Sequence, residues 1–270
     1  MNTCIEDLKT ACSALPRTGL ERMDSVQLMR RFDSKYVVPQ SWLPEMIAAM
    51  QGHAHLLEVE GQWDSAYSNV YFEPPGDDFL MDHLRGKARR MKVRTRTYGS
   101  NGLSFLEVKR RLPGGRTLKD RMLRDNADAT EFNVAELDFL REHARDYDTL
   151  EPRLHGAFQR LTLVDFDRKE RVTIDRDLTC GLHGEAPSPL LEGLAILEIK
   201  QPRPDRYGPA QRWLRNRDGR HGIVGRKTRV SKYTVSRLTC DPNIAGRTYL
   251  STYRRLQDAR AWAEDLQART

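Results

Sequence analysis

The residues best suited to chemistry lie in Ala88-Arg89-Arg90-Met91-Lys92-Val93-Arg94-Thr95-Arg96-Thr97-Tyr98. Alternate side chains of a strand share a face, so Arg90, Lys92, Arg94 and Arg96 form a cationic ladder opposite Met91, Val93, Thr95 and Thr97. The pattern recurs in four further segments. Phe105, Glu107, Lys109 and Arg111 face away from Leu106 and Val108, and Thr117, Lys119 and Arg121 alternate with Leu118 and Met122. Ile196, Glu198 and Lys200 alternate with Ala195, Leu197 and Ile199, and Arg31, Asp33 and Lys35 alternate with Phe32, Ser34 and Tyr36. Such rows suit a phosphate chain: Arg offers forked donors to phosphoryl oxygens, Lys offers a point charge, and interleaved carboxylates can hold a metal that bridges phosphates. Glu198 and Glu107 are the carboxylates assigned to metal, the alternative being an internal salt bridge to Lys200 or Lys109.

Strands must position these groups. Period-two alternation rich in Val, Ile, Tyr and Phe predicts them at Arg31–Val38, Ala66–Glu73, Ala88–Tyr98, Leu103–Arg111, Gly115–Leu123, Pro152–Val164, Glu170–Leu178, Gly193–Gln201 and Arg226–Arg237. Turns such as Pro113-Gly114-Gly115 join them, which indicates an antiparallel sheet, and closure into a barrel is one way to remove its edges. Helical spacing appears at Gln40–Gln51, Asn133–Tyr147, Arg206–Arg215 and in the tail Arg247–Ala268. Taken singly, a charged strand face is as well explained by solvation. The amphipathic helices shift the balance, because each needs an apolar surface to cover and so turns the charged faces inward. An enclosed basic lumen repels itself when empty, and a polyanion relieves it. The expected architecture is α+β, a closed antiparallel barrel with helices outside. With no internal repeat or polar linker it forms one domain, residues 1–270, with a core of about 25–240 and a helix at 247–268.

Totals narrow the partners. Of 270 residues, 45 are Lys or Arg and 38 are Asp or Glu, so the net charge of +7 favours phosphate, nucleic acid or a membrane surface. Cys4, Cys12, Cys180 and Cys240 have neither paired nor zinc-like spacing, which reads as reduced thiols in a cytoplasmic protein. Met1–Leu20 carries Glu6, Asp7 and Lys9 and lacks an apolar signal segment, and no apolar run is long enough to span a bilayer. Work at an inner membrane would therefore need a membrane-protein partner. His53 and His55 have strand-face spacing but no third ligand nearby, and Trp42, Trp63, Trp213 and Trp262 read as packing residues.

The set Arg31-Phe32-Asp33-Ser34-Lys35-Tyr36, Ser68-Asn69-Val70-Tyr71-Phe72-Glu73, Lys92-Val93-Arg94-Thr95-Arg96, Phe105-Leu106-Glu107-Val108-Lys109, Leu197-Glu198-Ile199-Lys200 and Ser231-Lys232-Tyr233 resembles the VTC domain. That domain belongs to the triphosphate tunnel metalloenzymes, with the CYTH proteins. The resemblance implies a tunnel of eight antiparallel strands and transfer of the ATP γ-phosphate to a growing polyphosphate chain with Mn2+ or Mg2+. It matches Lys35, Arg94, Arg96, Lys109, Lys119, Arg160, Arg229 and Lys232 to the family's phosphate-binding bases, Ser231 to a phosphate-contacting serine and Glu198 to the metal-binding glutamate. Asp33 stands where glutamate is common, Glu73 where aspartate is usual, and Arg229 where Lys occurs. The opposite parity of Arg229 and Lys232 requires a bulge or a strand end between them.

The expected reaction site thus comprises Lys35, Arg94, Arg96, Lys109, Lys119, Arg160 and Lys200 as catalytic cations. Arg31, Lys92, Arg229, Ser231 and Lys232 add phosphate contacts, and Glu198 and Glu107 hold metal. ATP and polyphosphate or pyrophosphate are the expected partners, without specific nucleic acid. No GxxxxGK[ST] loop or kinase catalytic motif offers another ATP site. The rivals are a triphosphate hydrolase in the same tunnel, a non-catalytic polyphosphate-binding module, and a nucleic-acid binder carrying the charge outside.

Overall fold

The computed structural model describes residues 2–26, 31–127, 130–144, 147, 149–218, 221–244 and 248–268. In chain order the elements are α1 (Asn2–Ser13), β1 (Arg17–Thr18), β2 (Phe32–Pro39), α2 (Leu43–Ala48), β3 (His55–Leu57), β4 (Ser65–Glu73), α3 (Asp78–Leu84), β5 (Arg90–Tyr98), β6 (Ser104–Arg111) and β7 (Thr117–Arg124). There follow α4 (Val134–His143), β8 (Glu151–Asp165), β9 (Glu170–Leu182), β10 (Ser188–Pro189), β11 (Leu194–Gln201), α5 (Pro209–Asn216), α6 (Lys232–Cys240) and α7 (Leu250–Ala268). Eight strands form one antiparallel path in the order β2-β11-β9-β8-β4-β5-β6-β7.

The path is not closed, which corrects the expectation of a closed barrel: β2 and β7 are its two ends and do not pair with each other. The backbone gives a physical reason. The outer edge of β2 is taken by the segment before α6, where Gly225 N donates to the Val37 carbonyl and Thr228 N to the Lys35 carbonyl. Edge groups satisfied there are no longer available to β7.

The apolar strand faces lie beneath helices. Val93, Leu106 and Val108 pack with Phe79 of α3 and Leu140 of α4. Ile174, Leu197 and Ile199 join the larger core with Met46 and Ile47 of α2, Leu214 of α5 and Leu256 of α7. Trp42 meets Trp213 and Trp262 edge to face at ring separations of 6.1 and 6.0 Å, in that core or against it. The β6–β7 connection is the expected turn, in which Gly114 (φ 79°) and Gly115 (φ 83°) supply the positive φ that L side chains resist.

One predicted strand ends in a helix. The second half of Arg226–Arg237 is the start of α6, whose first turn is capped by the Ser231 side chain accepting from Thr234 N. The cap resolves the parity conflict, since Arg229 lies before the helix and Lys232 opens it. Within the predicted helix Asn133–Tyr147, residues 145 and 146 lie outside the described residues, as does Arg247 of the predicted tail.

Candidate functional site

Strand register converts the ladders into rows. Across β5, β6 and β7, Lys92 stands opposite Lys109 and Lys109 opposite Lys119; the next row is Arg94, Glu107, Arg121. Three lysines side by side are unfavourable unless an anion joins them. On the other wall Glu198 of β11 lies between Lys35 of β2 and Thr173 of β9, Lys200 lies between Asp33 and Arg171, and Arg160 of β8 is opposite Asp175 of β9. The walls face one another, for Lys35 acts electrostatically on Lys92, Lys109 and Lys232, and Glu198 acts on Lys109 and Arg160.

Three carboxylates brace the cations. Glu107 is buried and accepts from Arg94 Nε at 2.8 Å and, through its other oxygen, from Lys119 Nζ. Asp175, 2 % exposed, accepts from Arg160 Nη2 at 2.8 Å and from Lys232 Nζ. Glu198 Oε2 accepts from Lys200 Nζ at 2.5 Å, and its Oε1 lies 3.9 Å from Lys35 Nζ. At the start of α6, Lys92 Nζ donates to Ser231 Oγ at 2.9 Å, so the cap serine joins the charged face of the sheet. Arg96 is buried and donates to Asn69 Oδ1 at 2.9 Å.

Burial and crowding set the charge states. Burial pushes Lys92 well below the ordinary lysine range, and Lys109, Lys35, Arg94 and Arg90 push it the same way. Burial likewise brings Lys119 down to about 8 against the pull of Glu107, Lys200 to about 8 against Glu198, and Lys232 to about 7 against Asp175. Burial opposes charge on the carboxylates, yet Arg94, Arg96 and Lys119 together hold Glu107 down to about 2. Asp175 and Glu198 are depressed too, by Arg160 with Lys232 and by Lys200 with Lys35.

Of the residues singled out from sequence, Lys35, Lys92, Arg94, Arg96, Lys109, Lys119, Arg160, Glu107, Glu198, Lys200, Ser231 and Lys232 are thus brought together. Two are placed apart. Arg31 is exposed and donates to Asp33 Oδ1 at 3.1 Å, and Arg229 is exposed with its charge bearing on Arg90. The strand reading missed Asp175. Its signal is the alternation Arg171, Thr173, Asp175 in a segment noticed only for its apolar residues.

The donor set decides what a metal could use. Both oxygens of Glu107 are engaged by cations, so its geometry is that of a salt bridge, made with Arg94 and Lys119 instead of Lys109. Glu198 retains an oxygen with only a distant ammonium. Among the described residues no three His, Cys, Asp or Glu side chains converge on one point. That set fits a hard cation held by one carboxylate together with substrate phosphates, the usual manner of Mg2+.

The sequence model of the VTC domain matches residues 30–241, and the chain belongs to that family. Among solved structures it is similar to a candidate adenylyl cyclase from Hippeastrum described as having a dominant triphosphatase activity. That match has 13% identity and a TM-score of 0.45, and covers 81% of this chain and 99% of the other. It is also similar to a candidate adenylate cyclase from Vibrio parahaemolyticus, at 13% identity and a TM-score of 0.39, covering 70% and 85%. A comparison with curated protein sequences gave no match.

Proposed function

We propose that the chain is a metal-dependent phosphotransferase that moves the γ-phosphate of ATP onto a growing polyphosphate chain within the basic lumen. The observation that carries this reading is the Lys92–Lys109–Lys119 row, half-buried at Lys92 and open to solvent at Lys109 and Lys119, in which, among the described residues, only Lys119 has a carboxylate partner. A phosphate chain supplies the missing anions at a spacing that both Lys and Arg can meet. Arg94, Arg96 and Arg160 hold the chain in line, and Lys35, Lys109 and Lys200 neutralise charge on the transferring group. The attacking oxygen comes from the acceptor phosphate, so the protein provides position and charge, not a covalent nucleophile. A divalent metal, Mn2+ or Mg2+, brought in with the triphosphate and held by Glu198, would supply further charge neutralisation between phosphates. Any second metal contact through Glu107 would first have to break its bonds to Arg94 and Lys119.

A second reading, hydrolysis of a triphosphate, is favoured by the open side of the sheet. Lys35 and Lys119 have side chains 35% and 41% exposed, so water can reach the chain there. Incubation with ATP and Mn2+, with products resolved by length, separates the two: long chains and ADP support transfer, and free phosphate alone supports hydrolysis. Neither product would leave a binding module. Glu198→Gln and Lys200→Ala are each expected to abolish turnover, and full activity in Glu198→Gln would remove the metal role from that residue. We place the reaction in the cytoplasm. Among the described residues no helix is long and apolar enough to cross a membrane; any membrane attachment is proposed to run through a partner protein.

A further inference from the structure

The lumen cations share a support that the carboxylates do not provide. Arg160 lies 4.8 Å from the Tyr67 ring centre and 5.1 Å from that of Phe158, Arg96 lies 5.4 Å from Tyr67, and Lys232 lies 4.3 Å from Phe158. Tyr67 and Phe158 are themselves stacked, 5.1 Å apart and 11° from parallel. A second pair repeats the arrangement: Tyr71 and Tyr233 lie 4.7 Å apart, with Arg94 5.9 Å from the first ring and Lys92 5.2 Å from the second. Burial raises the pKa of Tyr67 and of Tyr233, so both phenols stay neutral.

We infer that Tyr67, Phe158, Tyr71 and Tyr233 form an aromatic floor that positions the phosphate-binding cations, a role resting on the lumen being a phosphate-chain site. The physical reason lies in how a ring holds a cation. A carboxylate occupies the N–H donors that a phosphate needs, whereas the face of a ring attracts the charge and leaves those donors free. Arg96 shows the division: one donor is held by Asn69, the ring of Tyr67 lies against the guanidinium, and among the described residues no carboxylate bonds to it. Lys92, with neighbours of like charge, meets Tyr233 and Ser231 and has no carboxylate partner among the described residues. These residues act through the cations and are positioning residues.

The test is calorimetric titration of the full chain with inorganic tripolyphosphate. Tyr67→Leu and Phe158→Leu are each expected to weaken binding roughly tenfold, while Tyr67→Phe, which keeps the ring, stays within about twofold of the parent. In a chain carrying Arg96→Gln and Arg160→Gln, Tyr67→Leu should change affinity by less than about twofold, since its cations are gone. A role in packing alone would instead give the same loss with or without those arginines. Should Tyr67→Leu fail to fold, Phe158→Leu makes the same test through Arg160 and Lys232. Leu variants that bind as the parent does, or a Tyr67→Phe that loses as much as Tyr67→Leu, overturn the aromatic floor alone. A parent that does not bind tripolyphosphate overturns the reading of the site itself.

Discussion

Asp175→Asn isolates the internal bracing of the lumen. In the parent this carboxylate is 2 % exposed and neutralises both Arg160 and Lys232, whose side chains are 14% and 22% exposed. Removing one member of a buried ion network leaves the others uncompensated, at a cost of about 3 kcal/mol or more. For a domain of this size each kcal/mol moves Tm by roughly 2–4 °C, so the empty variant should melt roughly 6–12 °C below the parent. Tripolyphosphate then acts in the opposite direction. At about 100 times Kd it stabilises any folded binder by about 2.7 kcal/mol, and in the variant it also restores an anion to two bases that Asp175 no longer occupies. The ligand-induced rise in Tm should therefore be larger in Asp175→Asn than in the parent. Scanning fluorimetry with and without tripolyphosphate reads both effects. A variant that melts within about 2 °C of the parent, or gains less from the ligand, would refute the argument that Asp175 stands in for phosphate.

The remaining predictions concern pH. Lys232 at about 7 and Lys119 and Lys200 at about 8 are depressed, so they lose protons as pH rises through that range. Tripolyphosphate affinity should fall steadily from pH 7 to pH 9, and binding near pH 7.5 should take up protons, visible as a buffer-dependent enthalpy; pH-independent binding would contradict the assignment. Away from the lumen, Glu170 is buried beside Gln201, its Oε1 has no hydrogen-bond partner among the described residues, and burial raises its pKa from 4.5 to about 7. The folded chain therefore holds a proton that the unfolded chain has released, and stability falls as pH rises from 4.5 to about 7. Glu170→Gln should melt higher than the parent at pH 8, with the gap closing by pH 4.5, and an equal gap at both would refute it.

The cationic ladders were legible because strand parity is local: Arg90 through Arg96 alternate regardless of what lies beside them. Closure was not legible, because whether β7 meets β2 depends on which backbone reaches the β2 edge first, and Gly225 and Thr228 do. Helix α6 was misread because Val230, Tyr233 and Val235 favour strands, while the Ser231 cap and the packing of Tyr233 and Val235 into the core decide for helix. The short α3 left too little periodicity to register, although Glu73, read only as a departure from the family pattern, anchors it by accepting from Phe79 N and Leu80 N. The aromatic floor was invisible for another reason, since Tyr67 and Phe158 are far apart in sequence and meet only through the β4–β8 register.

A crystal structure of the tripolyphosphate complex tests the central claim most directly. The account predicts three phosphorus atoms in file between the Lys92–Lys109–Lys119 row and the Glu198–Arg160 wall, with Ser231 and Lys232 within hydrogen-bond reach. Phosphate found only on outward-facing residues such as Arg254 and Arg255 of α7, with Arg94, Lys119, Arg160, Lys232 and Lys200 still paired to Glu107, Asp175 and Glu198, would contradict it.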